Sequence, residues 1–241
     1  MRVSVDDPNS WPSSVRDGCG ELARRASPNP RYIEDLHLSG DDEDEFRSLF
    51  AGCRIVAYHA TRLLPHEVED VSVGGLRRLT PELVLHRIQK AHDCGHITEE
   101  ERAAFSDAHV FATGEARNRK DQICFFLSET TLTDRVYGIH PLMREWGGEA
   151  ISMSSRGVAF SPRLRELGLP AIVVATLDLD QGWRVHSVWP GMQEVFVSRW
   201  VGLDDIDADV YYRGDVPGEY IEAVWCPGEP AYERFLDLPQ N

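Results

Sequence analysis

The apolar positions of this chain fall into short continuous runs, which are typical of buried strands. Polar or glycine-rich stretches bound each run. The runs that predict strands are 55–58, 123–128, 169–179 and 221–225. A fifth run, 192–201, predicts a further strand with Glu194 at its start.

Three segments between these runs carry helix signals. Pro65 stands in the first turn of one segment, and a glycine pair closes it. Thr80 can cap a second helix, which has proline at its first helical position. Thr98 opens a third helix through a capping box with the glutamate three residues later. Strands and helices together indicate an α+β protein.

The N-terminal part differs in composition from the rest. Residues 1–30 are rich in Pro, Ser, Gly and Asp, which predicts a loosely ordered lead-in with one short helix near 21–25. Residues 39–50 predict a helix with an acidic first turn. We therefore expect a lead-in over residues 1–50 and a single domain over 51–241, with a helical insertion at 80–112.

Length and charge narrow the class of protein. A chain of 241 residues with 42% hydrophobic residues can bury a full core. The formal charge is −15, from 25 basic and 40 acidic residues, which argues against a broad nucleic-acid footprint. A protein partner is therefore expected more than a nucleic acid.

The cysteine count and the hydropathy indicate the compartment. Five cysteines without regular spacing fit a reducing cytoplasm better than a disulfide framework. We find neither a signal-peptide pattern nor an apolar run of about 18 residues, so we expect a cytoplasmic protein without a membrane span. His92 and His96 are four residues apart, but Gly95 breaks the helix that would align them, so we expect no metal site.

His59 and Thr61 lie at the exit of the first predicted strand. A histidine at such a place can turn its ring into a cleft, where one nitrogen donates and the other accepts a hydrogen bond. This suits it to hold a ligand hydroxyl. The spacing alone favours a structural histidine at a strand end.

The same residues carry a family resemblance. The run Tyr58-His59-Ala60-Thr61-Arg62, followed after about a dozen residues by Gly75-Leu76-Arg77, resembles the first motif of the ADP-ribosyltransferase superfamily. The resemblance is to the branch of poly(ADP-ribose) polymerases and diphtheria-type toxins. That branch has H-G-S/T and then G-L, and Ala60 stands here in place of the glycine.

Two later stretches resemble the second and third motifs of that branch. The strand at 123–128 corresponds to the second motif, and Tyr137 takes the place of the aromatic that stacks on nicotinamide. The strand tyrosine of the family's H-Y-E triad is not matched, because Cys124, Phe125 or Phe126 occupies its position. In the third motif a glutamate begins a strand.

This resemblance makes Glu194 the candidate catalytic residue. Glu149, in a glycine-rich loop, ranks second because it follows the second motif too soon.

The resemblance implies a split, mixed β-sandwich with helices on its outer faces and an NAD cleft between the two sheets. It implies an NAD-dependent ADP-ribosyltransferase, such as a bacterial-type toxin or effector, which cleaves the nicotinamide–ribose bond and transfers ADP-ribose to an unidentified acceptor. By this resemblance His59 would bind the adenosine-side ribose hydroxyl, and Ala60 and Thr61 would bind the nicotinamide amide. Arg62 or Arg77 would bind the pyrophosphate. Tyr137, with Phe125 or Phe126, would stack on the nicotinamide ring, and Glu194 would stabilise the developing positive charge. The basic stretch at 113–122 would lie where the acceptor is recognised.

Three alternatives stay open. A related branch transfers an RNA 2′-phosphate to NAD and depends on several arginines, which the sequence does not locate. A non-catalytic interaction or immunity protein could share the fold. The motifs could also occur by chance in an unrelated α+β domain.

Overall fold

The strands of this protein form one six-stranded sheet. A computed structural model describes residues 1–25, 30, 33–36, 38, 43–116, 119–132, 142–178, 192–203 and 208–235. Its strands are β1 (Arg2–Val3), β2 (Arg54–Leu63), β3 (Ile123–Phe126), β4 (Leu169–Asp178), β5 (Asp209–Tyr212) and β6 (Ile221–Trp225). Together with the helices they make the protein α+β, as the sequence predicted.

The helices surround this sheet. They are α1 (Ser13–Arg25), α2 (Glu43–Ser48), α3 (Pro65–Gly74), α4 (Pro81–Asp93), α5 (Glu99–Ala108), α6 (Glu129–Leu132), α7 (Gly148–Ile151), α8 (Ser161–Glu166), α9 (Met192–Trp200) and α10 (Pro230–Glu233). The short 3-10 turns are Pro8–Ser10, Ile33–Leu36, Gly157–Phe160 and Gly218–Tyr220. The predicted caps are present, since the Thr80 and Thr98 hydroxyls accept hydrogen bonds from backbone N–H groups three residues later.

The strand order is β5-β3-β2-β4-β6, with β1 parallel to β2 and the other neighbours antiparallel. β2 and β4 pair along ten residues, from Arg54↔Asp178 to Leu63↔Leu169. β2 and β3 share one register pair, Tyr58↔Phe126. The sheet therefore opens between these two strands toward the C-terminal end of β2. The described strands form one connected sheet rather than the two sheets expected from the sequence.

Each face of the sheet packs against a different layer. Ile55, Ala57 and Phe125 belong to the core that the sheet shares with α1 and α9. Val56 and Phe126 lie in the core on the opposite face, with side chains from the C-terminal segment. A third cluster lies beyond the end of β2 and joins α4, α5, α7 and α8 around a fully buried tryptophan. The mouth of the opened sheet therefore faces the helical insertion.

Residues 1–25 are packed into the core, which corrects the expectation of a loosely ordered lead-in for this part of the chain. β1 adds a strand to the sheet, and α1 is 13 residues long. The Trp11 side chain is buried and meets Phe196 edge-on, with ring centroids 4.9 Å apart. Its indole N–H donates to the Ser4 carbonyl at 2.6 Å. Composition missed this packing because the apolar residues that anchor the segment are few and widely spaced.

The strand predicted at 192–201 is wrong, because these residues form helix α9. A short apolar run can be buried as either a strand or a helix, and periodicity alone does not separate the two. α9 packs against α1 and α2 in the core that also contains sheet residues, and four consecutive residues, 195–198, are buried, so the helix is covered on more than one side. On the side away from β2, β3 pairs with β5, a strand that the sequence did not predict.

Candidate functional site

A cleft of about 510 Å³ opens at the C-terminal end of β2, where the sheet parts. Its walls come from β2, α3, α4, the segment leading into β3 and the start of α7. Small-molecule sites usually have volumes of about 300–1,000 Å³. His59, Ala60 and Thr61 all line the cleft, although successive strand residues point to opposite faces. The cleft therefore wraps around the free edge of β2.

His59 is held in one orientation by the neighbouring strand. Its Nδ1 lies 2.8 Å from the carbonyl oxygen of Cys124, and its ring meets Phe125 edge-on. A carbonyl oxygen only accepts, so Nδ1 carries the proton. Burial lowers the pKa of His59, which favours the neutral ring. Nε2 is then a hydrogen-bond acceptor, as a ligand hydroxyl requires.

Arg119 connects β3 to the carboxylate of Glu149 in the cleft. The Arg119 guanidinium lies 2.7 Å from Glu149 and 3.4 Å from the Tyr211 hydroxyl. It also approaches the Cys124 thiol at 3.8 Å. Burial raises the pKa of that thiol to about 12, so it is protonated and unreactive at neutral pH. Cys124 therefore contributes its backbone to the site and not a nucleophile.

Two glycines present Glu149 to the cleft. Gly147 and Gly148 have φ values of 78° and 46°, which side-chain-bearing residues rarely adopt, and α7 begins directly after the turn. The Glu149 side chain is 19% exposed. Burial raises the pKa of its carboxyl, and the Arg119 charge offsets this only in part. A carboxylate with a raised pKa in a cleft is a frequent property of functional sites.

Two ion pairs join the helices that form the opposite wall. Arg87 Nε donates to Glu67 at 2.6 Å, and Lys90 Nζ donates to Asp70 at 2.6 and 2.8 Å. Glu67 is almost fully buried and also accepts from the Trp146 indole at 2.9 Å. These contacts fix α3 against α4 and hold two cationic side chains at the cleft.

The charge of the cleft differs from that of the whole protein. Four cationic side chains line it, against three carboxylates, so its formal charge is +1 with neutral histidines. The whole chain carries −15. A concave site of the opposite sign attracts anionic ligands selectively.

The predicted binding residues divide into two groups. Ala60, Thr61 and Arg77 line the cleft together with His59. Arg62 does not, because its guanidinium donates to the carbonyl oxygens of residues 143, 165 and 167 at distances of 2.6–3.4 Å. It joins β2 to the segment around α8, a structural role that the strand position did not reveal.

The predicted aromatic and acidic residues are arranged differently from the expectation. Phe125 and Phe126 are both buried in the cores on opposite faces of the sheet, and neither lines the cleft. Tyr137 lies outside the described residues. Glu194 is in the first turn of α9 and not at a strand start, and it does not line the cleft. Glu149 does line it.

Three residues of the cleft were not singled out from the sequence. Glu67 and Arg87 are 20 residues apart and meet only because α3 packs beside α4. Arg119 had a partial signal, since it belongs to the basic stretch that precedes β3. No local pattern distinguishes Glu67 or Arg87 from an ordinary surface charge.

Comparison with known proteins gives no relative: no family model, no curated protein and no solved structure matches this chain. Among the described residues, no group of three or more His, Cys, Asp or Glu side chains could hold a metal ion. None of the described helices is both long and apolar enough to cross a membrane.

Proposed function

We propose that the protein binds NAD in this cleft, cleaves the nicotinamide–ribose bond and transfers ADP-ribose to an acceptor. The observation that carries the proposal is that His59, Ala60 and Thr61 of β2 line one locally cationic cleft together with the partly buried carboxylate of Glu149. The resemblance of the Tyr58–Arg62 run to the ADP-ribosyltransferase motif is the reason for assigning NAD as the ligand of this cleft.

His59 and its neighbours would orient the dinucleotide. The acceptor Nε2 of His59 suits a ribose hydroxyl, which donates a hydrogen bond. Ala60 and Thr61 follow along the same edge and would meet the nicotinamide amide. Orientation matters greatly in this reaction, because nicotinamide is already a good leaving group and the site has little covalent work to do.

Glu149 takes the role that the sequence motif assigned to Glu194. As the bond between the ribose C1′ and nicotinamide breaks, its electron pair leaves with nicotinamide, and positive charge develops on the ribose. A fixed carboxylate beside the ribose stabilises that charge. The acceptor then forms its bond to C1′ and releases a proton, which the carboxylate can take up.

A side-by-side comparison of two glutamine variants tests this assignment. Glutamine keeps the shape of glutamate and removes the charge. We expect Glu149→Gln to bind NAD but to release nicotinamide about 100- to 1,000-fold more slowly, the usual effect of removing one electrostatic group from such a site. Glu194→Gln should keep most of the rate. Nicotinamide release from NAD, with and without cell lysate as acceptor, measures both variants.

Two results would contradict the proposal. Slow nicotinamide release by Glu194→Gln together with near-native release by Glu149→Gln would assign the catalytic role to Glu194 in α9. If the native protein does not cleave NAD at millimolar concentration in the presence of lysate, the proposed activity is refuted. A tritium or fluorescent label on the adenosine part of NAD identifies the acceptor class, because the label stays with the transferred group.

One observation favours a second candidate, the transfer of an RNA 2′-phosphate to NAD. That activity depends on several arginines, and Arg77, Arg87 and Arg119 line the cleft. NAD consumption that requires an oligonucleotide with an internal 2′-phosphate would support this candidate. Consumption without any RNA would support the first.

A further inference from the structure

The wall formed by α3 and α4 carries polar atoms that no described residue satisfies. Arg87 Nη2 and both ring nitrogens of His66 are buried and have no hydrogen-bond partner. Both residues line the cleft. A buried polar group without a partner costs about 1–3 kcal/mol, and more when it is charged. Such atoms are expected where a ligand supplies the missing partner.

Packing holds the Arg87 guanidinium in place without using all of its donors. Its Nε is bonded to Glu67, and its plane lies over the Trp146 ring, 5.6 Å from the ring centroid. The side chain is 25% exposed. Arg87 is therefore a pre-oriented cation with an unused N–H group at the cleft.

His66 is oriented in a similar way on the neighbouring helix. Its ring stacks on His96, with centroids 5.4 Å apart and planes 23° apart. Lys90 is close enough to His66 to affect its charge, and it lies three residues after Arg87 on the same side of α4. A neutral imidazole still offers one N–H donor, so His66, Arg87 and Lys90 form a donor-rich patch on this wall.

We infer that Arg87 and His66 form a subsite for a phosphoryl group of the ligand, on the α3–α4 wall of the cleft. Phosphate oxygens accept several hydrogen bonds and carry the negative charge that a cationic patch in an acidic protein selects. The inference deepens the proposed function, since NAD contains a pyrophosphate, but it requires only that a phosphorylated ligand binds. It assigns the phosphate to the partly buried Arg87 and not to Arg62 or to the exposed Arg77.

The decisive variant is Arg87→Lys. A lysine retains the positive charge that the buried Glu67 requires, so the protein should fold. A single ammonium group cannot reproduce the guanidinium fork, in which Nε binds Glu67 and Nη2 faces a second acceptor. His66→Phe is the second variant, because it keeps a ring to stack on His96 and removes both nitrogens.

The probes are adenosine, ADP and inorganic pyrophosphate, with affinity measured by isothermal titration calorimetry. We expect Arg87→Lys to weaken ADP and pyrophosphate about tenfold or more, the usual effect of losing a hydrogen bond to a charged group. Adenosine should bind native protein and variant equally. His66→Phe should also weaken the binding of ADP and pyrophosphate and leave the binding of adenosine unchanged. Arg78→Gln is the control, because Arg78 is outside the cleft lining and pairs with Asp215 at 3.2 Å.

Comparison of NAD with NADP identifies the source of the phosphoryl group. If Arg87→Lys weakens both dinucleotides equally, the subsite holds the pyrophosphate. If it weakens only NADP, the subsite holds the additional ribose phosphate.

Unchanged affinity for ADP, pyrophosphate and NADP in a folded Arg87→Lys protein would overturn the inference, even if NAD is cleaved. Loss of ADP affinity in Arg77→Gln alone would also overturn it. Arg87-dependent ADP binding without NAD cleavage would support the subsite and refute the proposed activity, so the two failures are distinguishable.

Discussion

Glu67 gives the sharpest test of how the cleft is held together, through the substitution Glu67→Gln. Its carboxylate is 7% exposed and accepts three hydrogen bonds. Oε1 accepts from Arg87, and Oε2 accepts from the Leu64 N–H at 2.8 Å and from the Trp146 indole at 2.9 Å. These bonds join the end of β2, α4 and the segment before α7.

The expected cost follows from what glutamine can and cannot replace. The amide oxygen can keep the bonds from Leu64 and Trp146. The amide nitrogen then faces Arg87 Nε, donor against donor. Breaking a buried ion pair by removing one partner typically costs about 3–5 kcal/mol. Because Arg87 is still 25% exposed, we expect the lower end, about 3 kcal/mol. For a chain of this length that is a fall in Tm of about 6–12 °C.

The pH dependence provides an independent check. Burial alone would raise the pKa of Glu67, but Arg87 and the hydrogen bonds outweigh it and hold the pKa below the ordinary 4.5. A carboxyl with a depressed pKa in the folded state stabilises the protein above its unfolded pKa. That contribution is lost as the pH falls through the folded pKa. The difference between native protein and Glu67→Gln should therefore be full at pH 7 and shrink below 4.5.

Urea unfolding at pH 7 and at progressively lower pH measures both effects. Glu69→Gln is the matched control, since Glu69 lies on the same helix and is exposed. A surface change of this kind should stay within about 0.5 kcal/mol of the native protein. If Glu67→Gln were as stable as Glu69→Gln at pH 7, or equally destabilised at all pH values, the reasoning would be refuted.

Two further predictions concern the other walls. Arg119→Gln removes the positive charge that opposes the effect of burial on Glu149, so the pKa of Glu149 should rise further. The acidic limb of the pH–rate profile for NAD cleavage should then move to higher pH. A limb at the same pH as in the native protein would contradict this prediction. Gly75→Ala would place a Cβ 1.9 Å from the Val216 carbonyl at a φ of 85°, whereas Gly52→Ala at a φ of 71° meets no atom. We expect Gly52→Ala to cost about 1–2 kcal/mol and Gly75→Ala clearly more in thermal unfolding, and equal losses would refute the contact.

The sequence determined those elements whose signals are local. The helices that begin near Pro65, Thr80 and Thr98 were predictable because caps, prolines and glycines act within one turn. The strands β2, β3, β4 and β6 followed from continuous apolar runs. His59 could be singled out for the same reason, since it follows directly on an apolar run, although the structure places it within β2 and not at the predicted strand exit.

Tertiary packing decided those features that depend on contacts between segments distant in the sequence. The 192–201 run could have been a strand, and it became α9, which α1, α2 and the surrounding core bury on more than one side. The N-terminal segment became ordered because β1 pairs with β2. Each is a long-range contact, which local composition does not encode.

The site divides along the same line. Only the structure shows that Glu149 lines the cleft and Glu194 does not, because both are single glutamates beside apolar residues and the fold sets which of them lies near β2. The pairing of Glu67 with Arg87 is created by two helices crossing, 20 residues apart in the chain. The sequence therefore determined the strand that carries His59, and the fold decided which charges surround it, because electrostatic interactions depend on distance in space.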